Sequence, residues 1–425
     1  MATQREKGER TMFDICLFDL DDTLVRTEDL KEVREACKDN ADAGRINAVK
    51  AGLAAAPGRR IYSLDVLESI RKIHPEMKLC IFTRSPRSYA RTVLEWAYPG
   101  FAWDLVVAYE DVSRTKPHGA GIDLAMGRFN VETPDKVMLV GDADVDVRAA
   151  YNCGCIAVID RSSWPGQKRA EHWKALELVP DAFIYGPDDL VRFLARPHMF
   201  LPELERLLSD DADVKAGVRF DQINHFVPKA IGGDNHPIPI YACGRSFTNY
   251  ESVRRRKQWH ELTQSIEDHK DADTFSESWI KAIRHFIAEK FRLSSSAASV
   301  CVTVVPHRPG RKARLEALLH QLQQSLALNP IPTCNVTVAP DLLAFKAGVK
   351  SQHNDHLGQV ERFENARDHL FVKSPQLVSG GKSVLVLDDV VTTGASLIYA
   401  MKYLKAAGAG DLKCLAIAKS VSDVL

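Results

Sequence analysis

The 425-residue sequence predicts an α/β protein of two domains. Three observations carry that expectation. From Phe13 onward, short apolar runs alternate with amphipathic stretches, the pattern of βαβ units around a parallel sheet. Two of those runs, Ile15–Leu20 and Val384–Leu387, are apolar at nearly every position, as strands covered on both faces are. The alternation also lapses across 196–239, which gathers Pro197, Pro202, Pro228, Gly232, Gly233, Pro237 and Pro239. The first domain is therefore expected over 11–195, a linker or interdomain segment over 196–239, and the second domain over 240–425.

Within the first domain, strands are expected at Ile15–Leu20, Leu79–Thr83, Leu105–Ala108, Val137–Val140, Ile156–Ile159 and Ala182–Tyr185. Helices are expected at Leu64–Ile73, Arg87–Trp96, Asp144–Asn152 and Asp188–Ala195. One short helix around Glu203–Leu208 interrupts the proline-rich stretch. The second domain reads as helix Phe275–Lys290, strand Ser299–Val305, helix Lys312–Leu326, strand Val384–Leu387, helix Ser396–Ala407 and strand Leu412–Ala418.

Composition excludes several classes. Hydrophobic residues make up 45% and charged residues 26%, as in ordinary soluble domains. Lys+Arg and Asp+Glu balance at 56 each, so no general basic field draws the chain to nucleic acid. The local run Arg254-Arg255-Arg256-Lys257 is read as a solvated helix face. Of nine cysteines, Cys16, Cys80, Cys301 and Cys414 sit in apolar runs, which suits free core thiols in a reducing cytoplasm. Cys153-x-Cys155 lacks a second Cys/His pair at zinc spacing. Met1 to Arg10 has no apolar signal-peptide core, and no apolar run reaches membrane-spanning length, so a cytoplasmic protein without a membrane partner is expected.

Chemistry concentrates at the strand ends. Asp19 and Asp21 emerge from the carboxyl end of the first buried strand, where ligands bind in such sheets. Alternation puts both carboxylates on one side, and two like charges so close need a cation or a shared proton. Mg2+ answers the first need and a protonated Asp21 the second. Asp19 is thus a candidate nucleophile toward phosphorus, and Asp21 a candidate acid for the departing oxygen. Thr83 closes the run Leu79-Cys80-Ile81-Phe82 and offers a hydroxyl to a phosphoryl oxygen. Lys116, in Ser113-Arg114-Thr115-Lys116-Pro117, brings a positive charge. Asp142 and Asp146, in Val140-Gly141-Asp142-Ala143-Asp144-Val145-Asp146, complete an oxygen donor set suited to Mg2+.

In order and placement these four segments resemble the four motifs of haloacid dehalogenase (HAD)-superfamily phosphatases, over about Phe13 to Ala195. The resemblance implies a Rossmann-like core and an aspartyl-phosphate on Asp19. It implies Mg2+ held by Asp19, the backbone carbonyl of Asp21, and Asp142, with Asp146 near or in the shell. Only a modest insert, about Lys31–Arg60, separates the first two motifs, and one helix and one strand fill Thr83 to Lys116. The cap that many relatives carry in one of these places is therefore expected to be reduced.

The second site follows Val384-Leu385-Val386-Leu387. Asp388 and Asp389 can accept hydrogen bonds from paired ribose hydroxyls. Thr392-Thr393-Gly394-Ala395-Ser396 then turns into a helix whose N–H groups and hydroxyls suit a phosphate dianion. This segment resembles the signature of type I phosphoribosyltransferases for 5-phosphoribosyl diphosphate (PRPP), and over about Ile240 to Val421 the chain looks most like the competence-protein F (ComF) branch. That resemblance places His307, Arg308 and Arg311, in Val304 to Arg311, at a pyrophosphate loop. It places Lys350-Ser351-Gln352 and Glu361–Asn365, with Lys350 and Arg362, at a mobile loop over PRPP. Tyr241–Tyr250 is read as part of a hood for the acceptor base. Cations would steady the departing Mg-pyrophosphate, so Mg2+ is expected at both sites.

Together these readings predict a bifunctional enzyme. PRPP-dependent transfer to a base-like acceptor would be joined to Mg-dependent phosphomonoester hydrolysis of the 5′-phosphoribosyl product. The alternative is a phosphatase regulated by a PRPP-sensing domain that catalyses no transfer. The expected partners are PRPP and a small phosphorylated substrate, and a homodimer is an arrangement open to such a chain.

Overall fold

The computed structural model describes residues 12–39, 42–209, 217–225, 239–248, 252, 260–291, 298–332, 334–350 and 357–422. The run Arg254–Lys257, the residues Ser351 and Gln352, and Met1 to Arg10 lie outside the described residues. The chain divides into two compact units, each an α/β assembly with its own core.

Among the described residues, the first unit comprises those from 12 to 200 together with 252 and 422. Its strands are β1 (Ile15–Phe18), β2 (Lys78–Phe82), β3 (Leu105–Val107), β4 (Val137–Gly141), β5 (Ile156–Asp160) and β6 (Ala182–Ile184). All pair in parallel in the order β3-β2-β1-β4-β5-β6. This is the Rossmann order, whose direction of winding reverses between β1 and β4. The helices are α1 (Lys31–Asp39), α2 (Ala43–Ala55), α3 (Leu64–Ile73), α4 (Arg87–Ala97), α5 (Ala120–Phe129), α6 (Asp144–Cys153), α7 (Ala170–Glu177) and α8 (Pro187–Ala195). Local chemistry sets their starts. Ser63 caps α3 by accepting from Val66 N at 3.3 Å, and Asp42 caps α2 by accepting from Arg45 N at 2.9 Å. On α4, Tyr89, Ala90, Val93, Leu94 and Ala97 recur at helical spacing and are all buried.

The insert expected at Lys31–Arg60 is thus a helix pair, α1 and α2, packed on each other and on α4. Strand ends in this unit differ from expectation by at most two residues. The expected β1 runs to Leu20, whereas the ladder stops at Phe18, because Asp19 to Leu24 turn back in backbone hydrogen bonds such as Asp22 N to Val25 O at 2.8 Å.

The second unit comprises 201–248 and 260–421. Its elements, in order, are α9 (Glu203–Leu208), β7 (Asp221–Gln222), β8 (Ile240–Ala242), β9 (Arg245–Thr248), α10 (Glu261–Asp268), α11 (Glu277–Lys290), β10 (Ala298–Val304), α12 (Arg314–Leu328) and β11 (Cys334–Val338). There follow β12 (Leu343–Phe345), α13 (Gln359–His369), β13 (Leu370–Val372), β14 (Ser383–Val391), α14 (Ala395–Ala406) and β15 (Leu412–Ser422). The main sheet runs β11-β10-β14-β15-β8-β7, with β9 on β15. Its neighbours are parallel from β11 to β8, and β7 joins antiparallel at the edge. The winding reverses between β10 and β14, as it does between β1 and β4 in the first unit. On α11, Trp279, Ile280, Ile283, Phe286 and Ile287 face this core.

Three expectations are corrected here. Part of the proline-rich stretch 196–239 is built into the second unit. There α9 is held through Leu204 N to Cys243 O at 2.9 Å, and a buried Glu205 accepts from Arg245 N at 2.9 Å. Of the expected hood Tyr241–Tyr250, the described part runs through sheet strands β8 and β9, with β8 pairing in register with Cys414–Ala416. Glu361–Asn365 lies in helix α13, because Phe363 and Ala366 are buried at helical spacing and Glu361 caps the start from Gly358 N at 2.7 Å. All nine cysteines are buried and none forms a disulfide.

Candidate active sites

The first site stands where the winding reverses, at the carboxyl ends of β1 and β4. Asp19 N donates to Val140 O at 2.8 Å, which carries Asp19 alongside the Gly141–Asp142 turn. Gly141 makes that turn feasible: a Cβ there would lie 2.2 Å from Asp146 Cγ. Asp146 therefore folds back against the strand end, where its Oδ2 accepts from Ala143 N at 3.1 Å.

Lys116 is the centre of the arrangement. Its Nζ lies 2.7 Å from Asp19 Oδ1 and 2.7 Å from Asp146 Oδ1, and the residue is only 3% exposed. Burial works against its charge, but Asp146 and Asp19 outweigh that and hold its pKa above the usual lysine value. Carboxylate oxygens of Asp19, Asp142 and Asp146 all lie within 4.8 Å of one another. Burial raises Asp19 to about 6, with Lys116 opposing and the Asp146 and Asp21 charges adding to the rise. Asp142 is pushed well up by burial, then by Asp146 and Asp19. Carboxylates with so much unbalanced charge, all hard oxygen donors, fit a divalent cation. Thr83, buried beyond β2, donates its N–H to Val107 O at 3.0 Å, and its Oγ1 accepts from Ser85 N at 3.1 Å.

These residues line a pocket of about 660 Å3. Asp19, Asp21, Thr83, Lys116 and Asp142 form its inner part, whereas Lys31, Arg34, Glu35 and Lys38 of α1 form one wall. The insert thus lines the pocket within its own unit. Asp146 stands behind Lys116. Sequence reading overlooked Thr23, whose Oγ1 donates to Asp142 Oδ1 at 3.3 Å. It also overlooked Trp164, whose Nε1 donates to the Asp142 carbonyl at 2.8 Å. Neither carries a spacing signal, since both act through the fold. Ser85, Tyr89, Thr27 and Arg34, which surround Asp21, were missed for the same reason.

The second site occupies the equivalent reversal, between β10 and β14. Val305 N donates to Leu387 O at 2.8 Å, so the segment after β10 runs beside Asp388. Burial raises Asp388 to about 7, with Arg308 and Arg314 opposing. Asp389 pairs with Arg314, the first residue of α12, whose Nη1 also donates to His269 O at 3.0 Å. Thr392 and Thr393 lead to Gly394, whose φ of +74° starts α14 with Ala395 and Ser396 in its first turn.

The loop cations separate. Arg362 Nη1 donates to Thr392 Oγ1 at 2.9 Å, which brings α13 to the turn before α14. Lys350 is tied to α13 through its backbone, with Asn365 bridging its N–H and carbonyl at 3.0 Å each. His307 Nδ1 meets Glu316 Oε1 at 2.7 Å, and Arg308 lies 6.0 Å from the Phe345 ring centroid. Arg311 is exposed. Arg314 was missed, since a single arginine at a helix start has no pattern of its own.

Residues 62–159 match the family described as haloacid dehalogenase-like hydrolase, and residues 324–423 match the phosphoribosyl transferase domain. Asp19 and Asp21 lie before the first match, and His307 to Arg311 before the second. Among solved structures, a hydrolase from Pseudomonas syringae is 21% identical, covering 43% of this chain and 98% of its own, with a TM-score of 0.33. CbbY from Rhodobacter sphaeroides in complex with phosphate is 18% identical, over 43% of this chain and 100% of its own, with a TM-score of 0.31. The HAD-hydrolase YfnB from Bacillus subtilis, bound to magnesium, is 13% identical, over 43% and 99%, with a TM-score of 0.32. No curated protein matches the sequence. The two matches together point to an enzyme with one segment similar to haloacid dehalogenase-like hydrolases and another similar to the phosphoribosyl transferase domain.

Proposed function

We propose that this enzyme joins PRPP to a base-like acceptor in its second domain and removes the 5′-phosphate of the product in its first. The observation that carries the reading is the Lys116 bridge, 2.7 Å to Asp19 and to Asp146, at a strand end shared with Thr83 and Asp142. A buried lysine that neutralises one carboxylate from each side leaves Asp19 placed as a nucleophile beside a hydroxyl donor. Asp19, Asp142, Asp146 and the Asp21 carbonyl would hold Mg2+, which when bound lowers the charge repulsion between phosphate and carboxylate. Asp19 attacks phosphorus, Thr83 and Lys116 hold phosphoryl oxygens, and Asp21 gives a proton to the departing oxygen.

In the second domain, Asp388 and Asp389 accept from ribose hydroxyls, and 392–396 surround the 5′-phosphate at the start of α14. PRPP arrives as its magnesium complex, and Arg308, Arg311, Lys350 and Arg362, with His307, stand as candidates for the pyrophosphate end. Kinship with the ComF branch is supported by the run from Val304 to Arg311 and by Lys350. Hydrolysis of the 5′-phosphate draws the transfer forward by mass action. A homodimer and a cytoplasmic setting are further parts of the proposal. Described helices include none long and apolar enough to cross a membrane.

The test is mass spectrometry of a small-metabolite extract incubated with Mg2+, PRPP and either wild type or Asp19→Asn. A phosphoribosylated mass that accumulates with the variant, and appears dephosphorylated with wild type, is the expected result. Asp388→Asn combined with Asp389→Asn should remove both masses yet still hydrolyse a simple phosphomonoester. Absence of any PRPP-dependent product, with phosphatase activity that PRPP modulates, would favour the sensor reading.

A further inference from the structure

Asp21 is 8% exposed, and its two oxygens are held unequally. Oδ1 accepts from Thr27 Oγ1 at 2.6 Å and from Tyr89 OH at 2.9 Å, and faces Arg34 Nη1 at 3.3 Å. Oδ2 meets only Ser85 Oγ among the described residues, at 2.5 Å. A carboxylate offers about four lone-pair directions, two per oxygen. Three donors fill Oδ1, whereas Oδ2 keeps one direction free. Arg34 can only donate, whereas Ser85 on the other oxygen is a hydroxyl that can donate to Oδ2 or turn to accept from it.

We propose that Arg34, Tyr89 and Thr27 are positioning residues that saturate Asp21 Oδ1 and so assign the transferable proton to Oδ2. The inference rests on the reading of Asp21 as proton donor. Arg34 belongs to α1, so the inserted helix pair takes part in setting up that donor as well as walling the pocket. In the first half-reaction an Asp19 oxygen forms a bond to phosphorus and the bond to the leaving oxygen breaks. The Oδ2 proton passes to that oxygen, which departs as an alcohol, and Asp21 is left as a carboxylate facing three donors. In the second half a water oxygen attacks phosphorus, its proton returns to Oδ2, and the Asp19–phosphorus bond breaks to release inorganic phosphate.

A purely structural role for these donors would lower activity alike on every substrate. A positioning role depends on how much the leaving group needs a proton. The experiment compares the full-length enzyme and Arg34→Gln, Arg34→Lys and Tyr89→Phe on p-nitrophenyl phosphate and on ribose 5-phosphate. Nitrophenolate leaves without help, whereas an alkoxide does not. For Arg34→Gln and Tyr89→Phe, kcat on ribose 5-phosphate should fall about tenfold to a hundredfold. On p-nitrophenyl phosphate kcat and KM of Tyr89→Phe should change little, and Arg34→Lys should recover part of the Arg34→Gln loss on ribose 5-phosphate. Equal losses on both substrates, or none on either, would overturn the inference and leave the phosphatase reading standing. Wild type inert toward both would end that reading and this inference with it. Tyr89→Phe conserves shape, so it carries the comparison if Arg34→Gln does not fold.

Discussion

Lys116 shows how much a single residue holds at the first site. Removing it by Lys116→Met would leave a buried Asp146 and a half-buried Asp19 with their shared cation gone. Breaking such a buried pair costs about 3–5 kcal/mol. The expected outcome in magnesium-free buffer is a urea midpoint lowered by the equivalent of about 3 kcal/mol, partly restored by Mg2+, with phosphatase activity lost. Asp388 behaves differently, because burial rather than pairing governs it. Its carboxyl titrates at about 7 in the folded chain, against roughly 4 when unfolded. Between those values the folded state keeps a proton that the unfolded state has lost. Stability contributed at this position therefore falls as pH rises from about 4 to about 7, and is flat above. Urea midpoints measured at pH 5 and pH 8 should show this decline in wild type. Asp388→Asn should have the smaller decline, and an unchanged difference between the two pH values would refute the assignment.

At the scale of elements, the turn between β14 and α14 is the most exacting. Gly394 takes φ +74°, and a Cβ there would lie 2.7 Å from Ile240 Cδ1. Gly394→Ala should cost about 1–3 kcal/mol, from backbone strain and the close approach together. It should also weaken PRPP binding by shifting the start of α14. Adding Ile240→Val should relieve the contact but not the strain, so only part of the stability should return in a thermal melt. The helix α13 teaches a related lesson. Its residues are strongly polar, so apolar periodicity gives little sign of it. It is held instead by the Glu361 cap at its start, by Asn365 bonding across from its middle to Lys350, and by the antiparallel pairing of Leu343–Phe345 with Leu370–Val372 just after its end.

For the whole molecule, two separate cores predict two unfolding transitions. In scanning calorimetry, PRPP with Mg2+ should raise one transition, and Mg2+ with inorganic phosphate the other. At a hundredfold excess over Kd the stabilisation is about 2.7 kcal/mol for each. A single transition moved by both ligands would mean that the units unfold together.

The sequence by itself determined the α/β class, and it offered Asp19, Asp21, Thr83, Lys116, Asp388 and Gly394 as site candidates. Those features are legible because buried parallel strands are apolar without interruption, and because each chemical group follows its strand at short range. Helix starts at Leu64, Arg87 and Asp144 were readable for the same local reason. Tertiary structure alone decided which distant groups meet. It brought Arg34 and Tyr89 to Asp21, Trp164 to Asp142, Arg314 to Asp389 and Arg362 to Thr392. It also drew β8, from next to the proline-rich stretch, into the second sheet beside β15. Such partners are chosen by strand order and helix packing across tens to hundreds of residues, and no local periodicity records that choice.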